Sequence, residues 1–492
     1  MRILLVYPQY PDTFWSFKHI LKFVSKKAAY PPLGLLTIAA MLPEEWEKRL
    51  IDMNVSPLRD KDIEWADYVF ISAMLVQKDS VREVIKHCKR LNRKIVAGGP
   101  LFTAGCEEFE DVDHLVLNEA ELTLPPFLKD LKNGCAKHIY STEEYADITR
   151  TPVPLWDLIN MKHYATMSIQ YSRGCPYDCE FCDIPVLYGH RPRTKETGQM
   201  LREFDALYEQ GWRGSVFIVD DNFIGNKVKV KEMLPAVIKW MEERDFPFSL
   251  ITEASLNLAD DEELMNLMAA AGFKKVFIGL ETPSEESLAE CGKFQNKRLD
   301  MIAAVKKIQN HGMQVLGGFI VGFDNDPPSI FETQINFIQN LGVVTAMVGL
   351  LQALPKTKLY NRLKEEGRLL KTGSGDNTDG SLNFIPKMNT EVLINGYKQI
   401  LKTIYSPRKY YERIITFLEE YKPRQRGKIH LKDIEAFLKS VWYLGIVGEW
   451  RRYYWKLVVK SLIKYRQAFP EAIELAIRWF HFRKVIERNL ES

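Results

Sequence analysis

The stretch Cys175-Pro176-Tyr177-Asp178-Cys179-Glu180-Phe181-Cys182 decides how the rest of the chain is read. Its three cysteines are spaced C-x3-C-x2-C. Thiolates are soft ligands that suit iron–sulfur clusters and zinc. A four-iron cluster normally takes four cysteines, so a cluster held by this loop alone keeps one iron open to another ligand. Zinc loops usually begin C-x2-C and need a second ligand pair at a regular distance. Here the next cysteine, Cys291, stands alone and far downstream. Three thiols packed in a core fit poorly, because Pro176, Asp178 and Glu180 interrupt the run. The spacing therefore points to an iron–sulfur cluster with Cys175, Cys179 and Cys182 as metal ligands.

Around this loop, residues 166–370 repeat a strand–helix rhythm. Met167–Gln170 leads into the cysteines. Ser215–Val219 ends at Asp220-Asp221-Asn222-Phe223, Phe248–Thr252 at Glu253, and Lys275–Leu280 at Glu281-Thr282-Pro283. Val315–Val321 ends at Gly322-Phe323-Asp324, and Val343–Leu351 ends near Pro355. Six such units predict an incomplete β/α barrel with its chemistry at the carboxyl ends of the strands. Each polar residue there has a plainer reading: Asp220 and Asp221 as a helix cap and its neighbour, Asp324 as a turn residue. Their joint recurrence after the cysteine loop favours a site. The uncharged stretch 333–355 is long enough to suggest a membrane helix. It contains Gln334, Asn336, Gln339, Asn340 and Gln352, and Gly342 is expected to split it into a helix end and a barrel strand.

Upstream, residues 1–140 also alternate strand and helix. The expected strands are Arg2–Tyr7, Leu50–Asn54, Tyr68–Ala73, Lys94–Ala97 and His114–Leu117, with a helix from Ser80 to Leu91. This rhythm predicts a parallel doubly wound sheet, with any ligand beyond the strands' carboxyl ends. Gly98-Gly99-Pro100 directly follows the fourth strand, where glycines let backbone approach a bulky ligand or simply make a tight turn. The absence of G-x-G-x-x-G argues against a dinucleotide. Residues 141–165, with Thr151-Pro152-Val153-Pro154, read as a stiffened linker.

Composition bounds the rest. The chain has 492 residues, 46% hydrophobic and 27% charged, enough for two or three domains. A formal net charge of +3 is too small to imply nucleic acid, and seven scattered cysteines make no disulfide framework. Thiols that must stay reduced suit the cytoplasm. The opening MRILLVYPQYP runs straight into a strand and does not read as a signal peptide.

The cysteine loop resembles the cluster loop of the radical S-adenosylmethionine (SAM) superfamily. The wider stretch, from Arg173-Gly174-Cys175 through Asp183-Ile184-Pro185 to Arg191-Pro192-Arg193-Thr194-Lys195, is similar to cobalamin-binding radical SAM proteins of the hopanoid C-2 methylase type. Pro31-Pro32-Leu33-Gly34 and Gly98-Gly99-Pro100 match that family's cobalamin domain, and Asn118-Glu119-Ala120-Glu121 resembles its G-E-x-E. The chain lacks D-x-H-x-x-G, with Pro8-Gln9-Tyr10-Pro11 after the first strand, which implies cobalt without a histidine ligand. Met74-Leu75-Val76-Gln77 lies either under the corrin or in plain core packing.

The resemblance implies three cofactors: a 4Fe-4S cluster, SAM and cobalamin. It places Gly98, Gly99, Pro100, Gln77 and Glu119 at cobalamin. Glu253 and Glu281 would hydrogen-bond the ribose or amino group of SAM. The strand with Gly318, Gly322 and Asp324 would lie beside the adenine, and Asp220 and Asp221 would occupy the second-strand motif. The implied reaction uses two SAM molecules, one to methylate cobalamin and one to generate a deoxyadenosyl radical, and places a methyl group on an unactivated carbon. The alternatives are a radical cyclase, ring-rearranging or carbon-coupling enzyme, and a non-catalytic cobalamin or redox sensor. The implied partners are a flavodoxin- or ferredoxin-like electron donor and a small-molecule substrate. An apolar lipid fits best, with a peptide or antibiotic precursor as alternatives.

The expected organisation is thus α/β: a Rossmann-like cobalamin-binding domain over 1–140, the linker 141–165, a (β/α)6 radical SAM partial barrel over 166–370, a flexible polar loop over 371–384, and a helical region over 385–492. The polar loop reads either as a mobile cover of the barrel mouth or as a passive linker. From Tyr421 onward the tail carries 16 Lys/Arg against 7 Asp/Glu, interleaved with aromatics such as Trp442, Trp450 and Trp455. That pattern fits two readings: a packed helical cap with a solvated basic face, or amphipathic helices at the inner, anionic membrane surface. No nucleic-acid motif accompanies the charge.

Overall fold

The structure, a computed structural model, describes residues 1–492 except 298, 371, 372, 377, 425–430 and 492. Lys371, Thr372 and Asn377 of the polar loop therefore lie outside the described residues.

The first sheet is parallel throughout. It comprises β1 (Arg2–Tyr7), β2 (Glu47–Asp52), β3 (Tyr68–Ser72), β4 (Lys94–Gly98), β5 (His114–Val116) and β6 (Ile139–Tyr140), in the order β2-β1-β3-β4-β5-β6. Side chains of a strand alternate between faces. Leu4 and Val6 accordingly enter a core with Ile63, Val81 and Val84, while Ile3 and Leu5 enter the opposite core with Leu35 and Phe127. The expected strand Leu50–Asn54 starts earlier, because Glu47 pairs in register with Arg2. Its outer half is polar edge strand and gives no apolar signal.

The second sheet is also parallel. It comprises β7 (Thr166–Ile169), β10 (Gly214–Ile218), β11 (Phe248–Glu253), β12 (Phe273–Glu281), β13 (Gln314–Val321) and β14 (Ala346–Leu350), while β8 (Ser172–Arg173) and β9 (Arg193–Thr194) form a small antiparallel ladder beside it. The order β14-β13-β12-β11-β10-β7 is an open barrel of six strands. Gly342, at φ 65°, ends the helix Ile330–Leu341 before β14, so the uncharged stretch is a helix and a strand. Among the described residues no helix is long and apolar enough to cross a membrane.

The open edge is filled from elsewhere in the chain. The segment after β1 runs along the barrel, and Ala165 N–H donates to Ala28 O at 3.0 Å. Trp15 Nε1 donates to Met347 Sδ at 2.9 Å, and its ring stands 5.5 Å from that of Phe277. The C-terminal helices, from Thr390–Ile404 to Phe469–Glu491, share one continuous apolar core with the barrel. Phe482 stacks on Phe14 at 4.2 Å, and buried Arg413 donates to the carbonyls of Ile404 and Val344.

Candidate active site

The cysteine loop leaves β8 through Gly174, at φ 93°, where a side chain would lie 2.9 Å from Arg191 O. Its backbone is tied at three points. Cys175 N–H donates to Gly189 O (3.2 Å), Glu180 N–H to Cys291 O (2.9 Å), and Leu359 N–H to Glu180 O (2.9 Å). The Glu180 carboxylate accepts from Arg362 Nε at 2.6 Å and Nη2 at 3.1 Å. Cys175, Cys179 and Cys182 are half-buried and unbridged. Amide donors approach two of them: Asn222 Nδ2 stands 3.8 Å from Cys175 Sγ, and Gln295 Nε2 stands 3.9 Å from Cys179 Sγ. Burial raises all three thiol pKa values, whereas a bound cation favours the thiolate. Three free thiols, a rigid loop and donors aimed at sulfur fit a three-cysteine cluster. Cys291 is buried and supports the loop through its carbonyl. Cys106 is half-buried and Cys135 exposed.

Strand alternation decides which residues face the barrel interior. Phe248 and Leu250 join the outer core, so Ser249, Ile251 and Glu253 point inward. Burial, then Asp221 and Asp220, push the Glu253 carboxyl up to about 8. Burial, then Asp220 and Asp183, push Asp221 up to about 7, and its Oδ2 is buried with no hydrogen-bond partner among the described residues. A cation placed beside these two carboxyls would favour their ionised forms.

Other expected SAM contacts sit differently. Asp220 is fully buried below the cavity: Oδ1 accepts from Tyr171 N at 2.7 Å and Oδ2 from Ser172 Oγ at 2.6 Å, so it fixes the turn into the cysteine loop. Glu281, at φ 61°, pairs with Lys293. Gly279 leaves room for that pair, since a side chain there would collide with both groups. Gly318 faces the interior, where a side chain would meet the Phe277 ring at 2.9 Å. Gly322 N–H donates to Asp326 Oδ2 at 2.8 Å. Asp324 turns away into an ion network with Arg362, Arg368 and Lys387. Burial would raise its carboxyl, but the two guanidiniums hold it down to about 2. Asp324, expected on the strand beside the adenine, is thus engaged by three basic side chains.

On the other side, a cavity of about 480 Å³ opens between the carboxyl ends of β3, β4 and β5 and the barrel. Gly98, Gly99 and Pro100 line it, with Met74, Ser168, Gln170 and Asp221. Gly98 is required because a side chain would lie 2.5 Å from Val116 O, and Gly99 adopts φ 90°. Beside these strand ends the cleft is lined largely by apolar side chains, among them Leu35, Ile38, Met41 and Phe70. Gln77, expected at cobalamin, is fully buried, accepting from Met74 N at 2.9 Å and donating to Pro8 O at 2.6 Å, so Met74, 45% exposed, is the side chain the loop presents.

Glu119 is also placed differently. It borders the cavity, but its carboxylate accepts from Arg173 Nη1 (2.9 Å), Arg193 Nη1 (2.8 Å) and Ala146 N (2.8 Å). Glu121 accepts from Arg173 Nη2 at 2.8 Å and from Thr151 Oγ1 at 2.6 Å. The Asn118–Glu121 motif is thus a clamp that fastens the first sheet to the arms of the cysteine loop. Sequence reasoning missed this role, and missed Asn222, Gln295, Lys293 and Trp15. Only Asn222 lay inside a stretch singled out for chemistry.

The comparisons agree with this division. Residues 24–128 match the B12 binding domain, residues 169–338 the radical SAM superfamily, and residues 357–492 a domain of unknown function, DUF4070. A radical SAM methyltransferase structure from Kitasatospora setae shares the fold at a TM-score of 0.65 and 17% identity, covering 94% of this chain and 99% of that one. A cobalamin-dependent SAM radical enzyme, OxsB, does so at 0.62 and 16%, covering 100% and 80%. The architecture is therefore that of the cobalamin-binding radical SAM enzymes. The chain is 42% identical, over its whole length and 93% of the relative, to an uncharacterized methyltransferase of Synechocystis sp.. It is 34% identical, over 94% of its length and 90% of the relative, to hopanoid C-2 methylase of Rhodopseudomonas palustris. The chain belongs to the hopanoid C-2 methylase family of cobalamin-binding radical SAM methyltransferases.

Proposed function

We propose that this chain methylates an unactivated carbon of an apolar small molecule, a lipid of the polycyclic isoprenoid kind, while resting on an anionic membrane surface on the cytoplasmic side. The observation that carries the reading is the shared cavity: the strand ends of the first sheet and Ser168, Gln170 and Asp221 of the barrel line one space. Transfer between two cofactors and one substrate requires such proximity. When bound, cobalamin and the SAM-loaded cluster would supply methyl-group and one-electron chemistry.

The chain's own residues hold and orient. Cys175, Cys179 and Cys182 would bind three irons, with the Asn222 and Gln295 amides beside two of the sulfurs. Asp221 and Glu253 would ionise against the positive charge of SAM. Lys293 holds Glu281 in place beside the cluster loop. The Glu119–Arg173–Arg193 clamp ties the first sheet to the arms of the cysteine loop. A flavodoxin- or ferredoxin-like protein would reduce the cluster.

The membrane reading rests on the tail. Trp455, Val459, Leu462 and Ile463 form one stripe of the helix Arg451–Lys464 and are 40%, 53%, 45% and 69% exposed. Leu438, Trp442, Ile446 and Val447 are exposed nearby in sequence, and Arg451, Arg452 and Lys456 stand exposed on the same helix as the stripe. Apolar and basic groups together suit insertion at an anionic interface.

The test is an anaerobic assay of the reconstituted protein with SAM, a strong reductant and cobalamin, following deoxyadenosine and S-adenosylhomocysteine with and without a cell lipid extract. Both products rising with the extract support the methylase and a lipid substrate. Deoxyadenosine alone favours the cyclising, rearranging or coupling enzyme. Neither product, from protein with an intact cluster and each of several extracts, refutes the reading.

A further inference from the structure

The segment after β1 and the C-terminal helix bring together three side chains that none of the chemistry above uses. Asp12, His19 and His481 each offer a ligand atom, and these atoms lie within 4.8 Å of one another. Asp12 Oδ2 and His19 Nε2 are 2.7 Å apart. His481 is fully buried, and its Nε2 donates to Phe14 O at 3.0 Å. That bond leaves the lone pair on Nδ1, which has no hydrogen-bond partner among the described residues.

A ligating histidine typically donates its other ring nitrogen to a carbonyl or carboxylate, which fixes the tautomer and orients the ring. His481 has that arrangement before any ion is present. Leaving a buried ring nitrogen unpaired is unfavourable, so the position calls for a partner. Two imidazoles and a carboxylate form a three-ligand set for a borderline divalent ion, with water completing a tetrahedron.

We propose that Asp12, His19 and His481 form a zinc-type site that pins the segment after β1 to the C-terminal helix. Arg488 Nη1 now stands 3.4 Å from Asp12 Oδ2. Its Nη2 also donates to Asp12 O, so an ion at Oδ2 would have to displace the Nη1 contact while the bond to the backbone can stay. The ion's position explains its purpose. Phe14 and Trp15 lie between the two ligands of this segment, the first stacked on Phe482 and the second reaching Met347 and Phe277 inside the barrel. An ion joining residues 12 and 19 to residue 481 fixes the wall of the barrel's open edge, independently of the cysteine loop.

The test uses the full chain with its iron–sulfur cluster loaded, so that the cysteine loop is filled and cannot take zinc. Protein dialysed against low-micromolar free Zn2+ is assayed for zinc and iron by mass spectrometry. The expected result is about one zinc per chain, lost in His19→Gln and in His481→Ala at unchanged iron content. His19 lies near the surface, so its variant keeps the test decisive where the His481 variant does not fold. Tryptic cleavage at Lys18 and Lys22 is the second readout: zinc slows it in the parent chain and leaves it unchanged in His19→Gln. No zinc in the parent chain, or equal zinc in parent and variants, overturns the proposal.

Discussion

Replacing Glu119 by Ala tests whether the N-E-A-E motif clamps the two halves. The Glu119 side chain is 1% exposed and serves two guanidiniums and one backbone amide. Without it Arg173 keeps Glu121, but Arg193 keeps no carboxylate, retaining the carbonyls of Ala146 and Tyr188 and the face of the Tyr145 ring. Breaking a buried ion pair by removing one partner costs about 3–5 kcal/mol. The lower end applies, because one of the two cations retains a carboxylate. At about 1.4 kcal/mol per tenfold change, the closed arrangement loses roughly a hundredfold in population. Hydrogen exchange of the amides at residues 144–148 reads this directly, since Ala146 N–H donates to Glu119. Those amides exchange about a hundredfold faster in the variant, and hydroxocobalamin binding weakens in step. Glu119→Gln retains an acceptor for Ala146 and falls between. Unchanged protection at 144–148 in Glu119→Ala would refute the clamp.

The same clamp predicts a pH response. Burial alone would raise the Glu121 carboxyl, yet Arg173 and Thr151 outweigh it and hold it down to about 2. A folded value below the ordinary carboxylate range stabilises the closed form at neutral pH, and that contribution disappears as pH falls from the ordinary range toward 2. Protection factors at 144–148, taken relative to the slower intrinsic exchange at low pH, should therefore fall on acidification, less so in Glu121→Gln. Changing Cys175, Cys179 or Cys182 to Ala abolishes SAM cleavage and leaves cobalamin bound; cleavage retained in any of the three removes the cluster assignment. Glu253→Gln weakens SAM binding by about tenfold to a hundredfold, the range of a hydrogen bond to a charged group, with cluster iron content unchanged; equal affinity by calorimetry counts against Glu253 as a cation receptor. Replacing Arg451, Arg452 and Lys456 together by Gln costs about 1 kcal/mol per charge at an anionic surface, so co-sedimentation with phosphatidylglycerol vesicles falls by roughly two orders of magnitude while neutral vesicles show no change.

Both parallel sheets were legible because buried strands print apolar runs and strand ends print polar or glycine punctuation. Arg2–Tyr7 is read to the residue, while β2 is misplaced because an edge strand with one wet face carries no such run. The sequence alone also determines the cysteine loop, since ligand type and spacing are local properties of one short stretch. What side chains do across the chain is not local. Glu119 and Asp324 read as cofactor contacts until folding sets Arg173 and Arg193 against one and Arg362 and Arg368 against the other. Asp220 and Asp221 are neighbours with the same side chain, and the turn that follows β10 sends one below the cavity and the other into it. The meeting of Asp12 and His19 with His481 joins the two ends of the chain. No periodicity or motif encodes such a contact, because it arises only when the barrel, the segment after β1 and the last helix pack into one core.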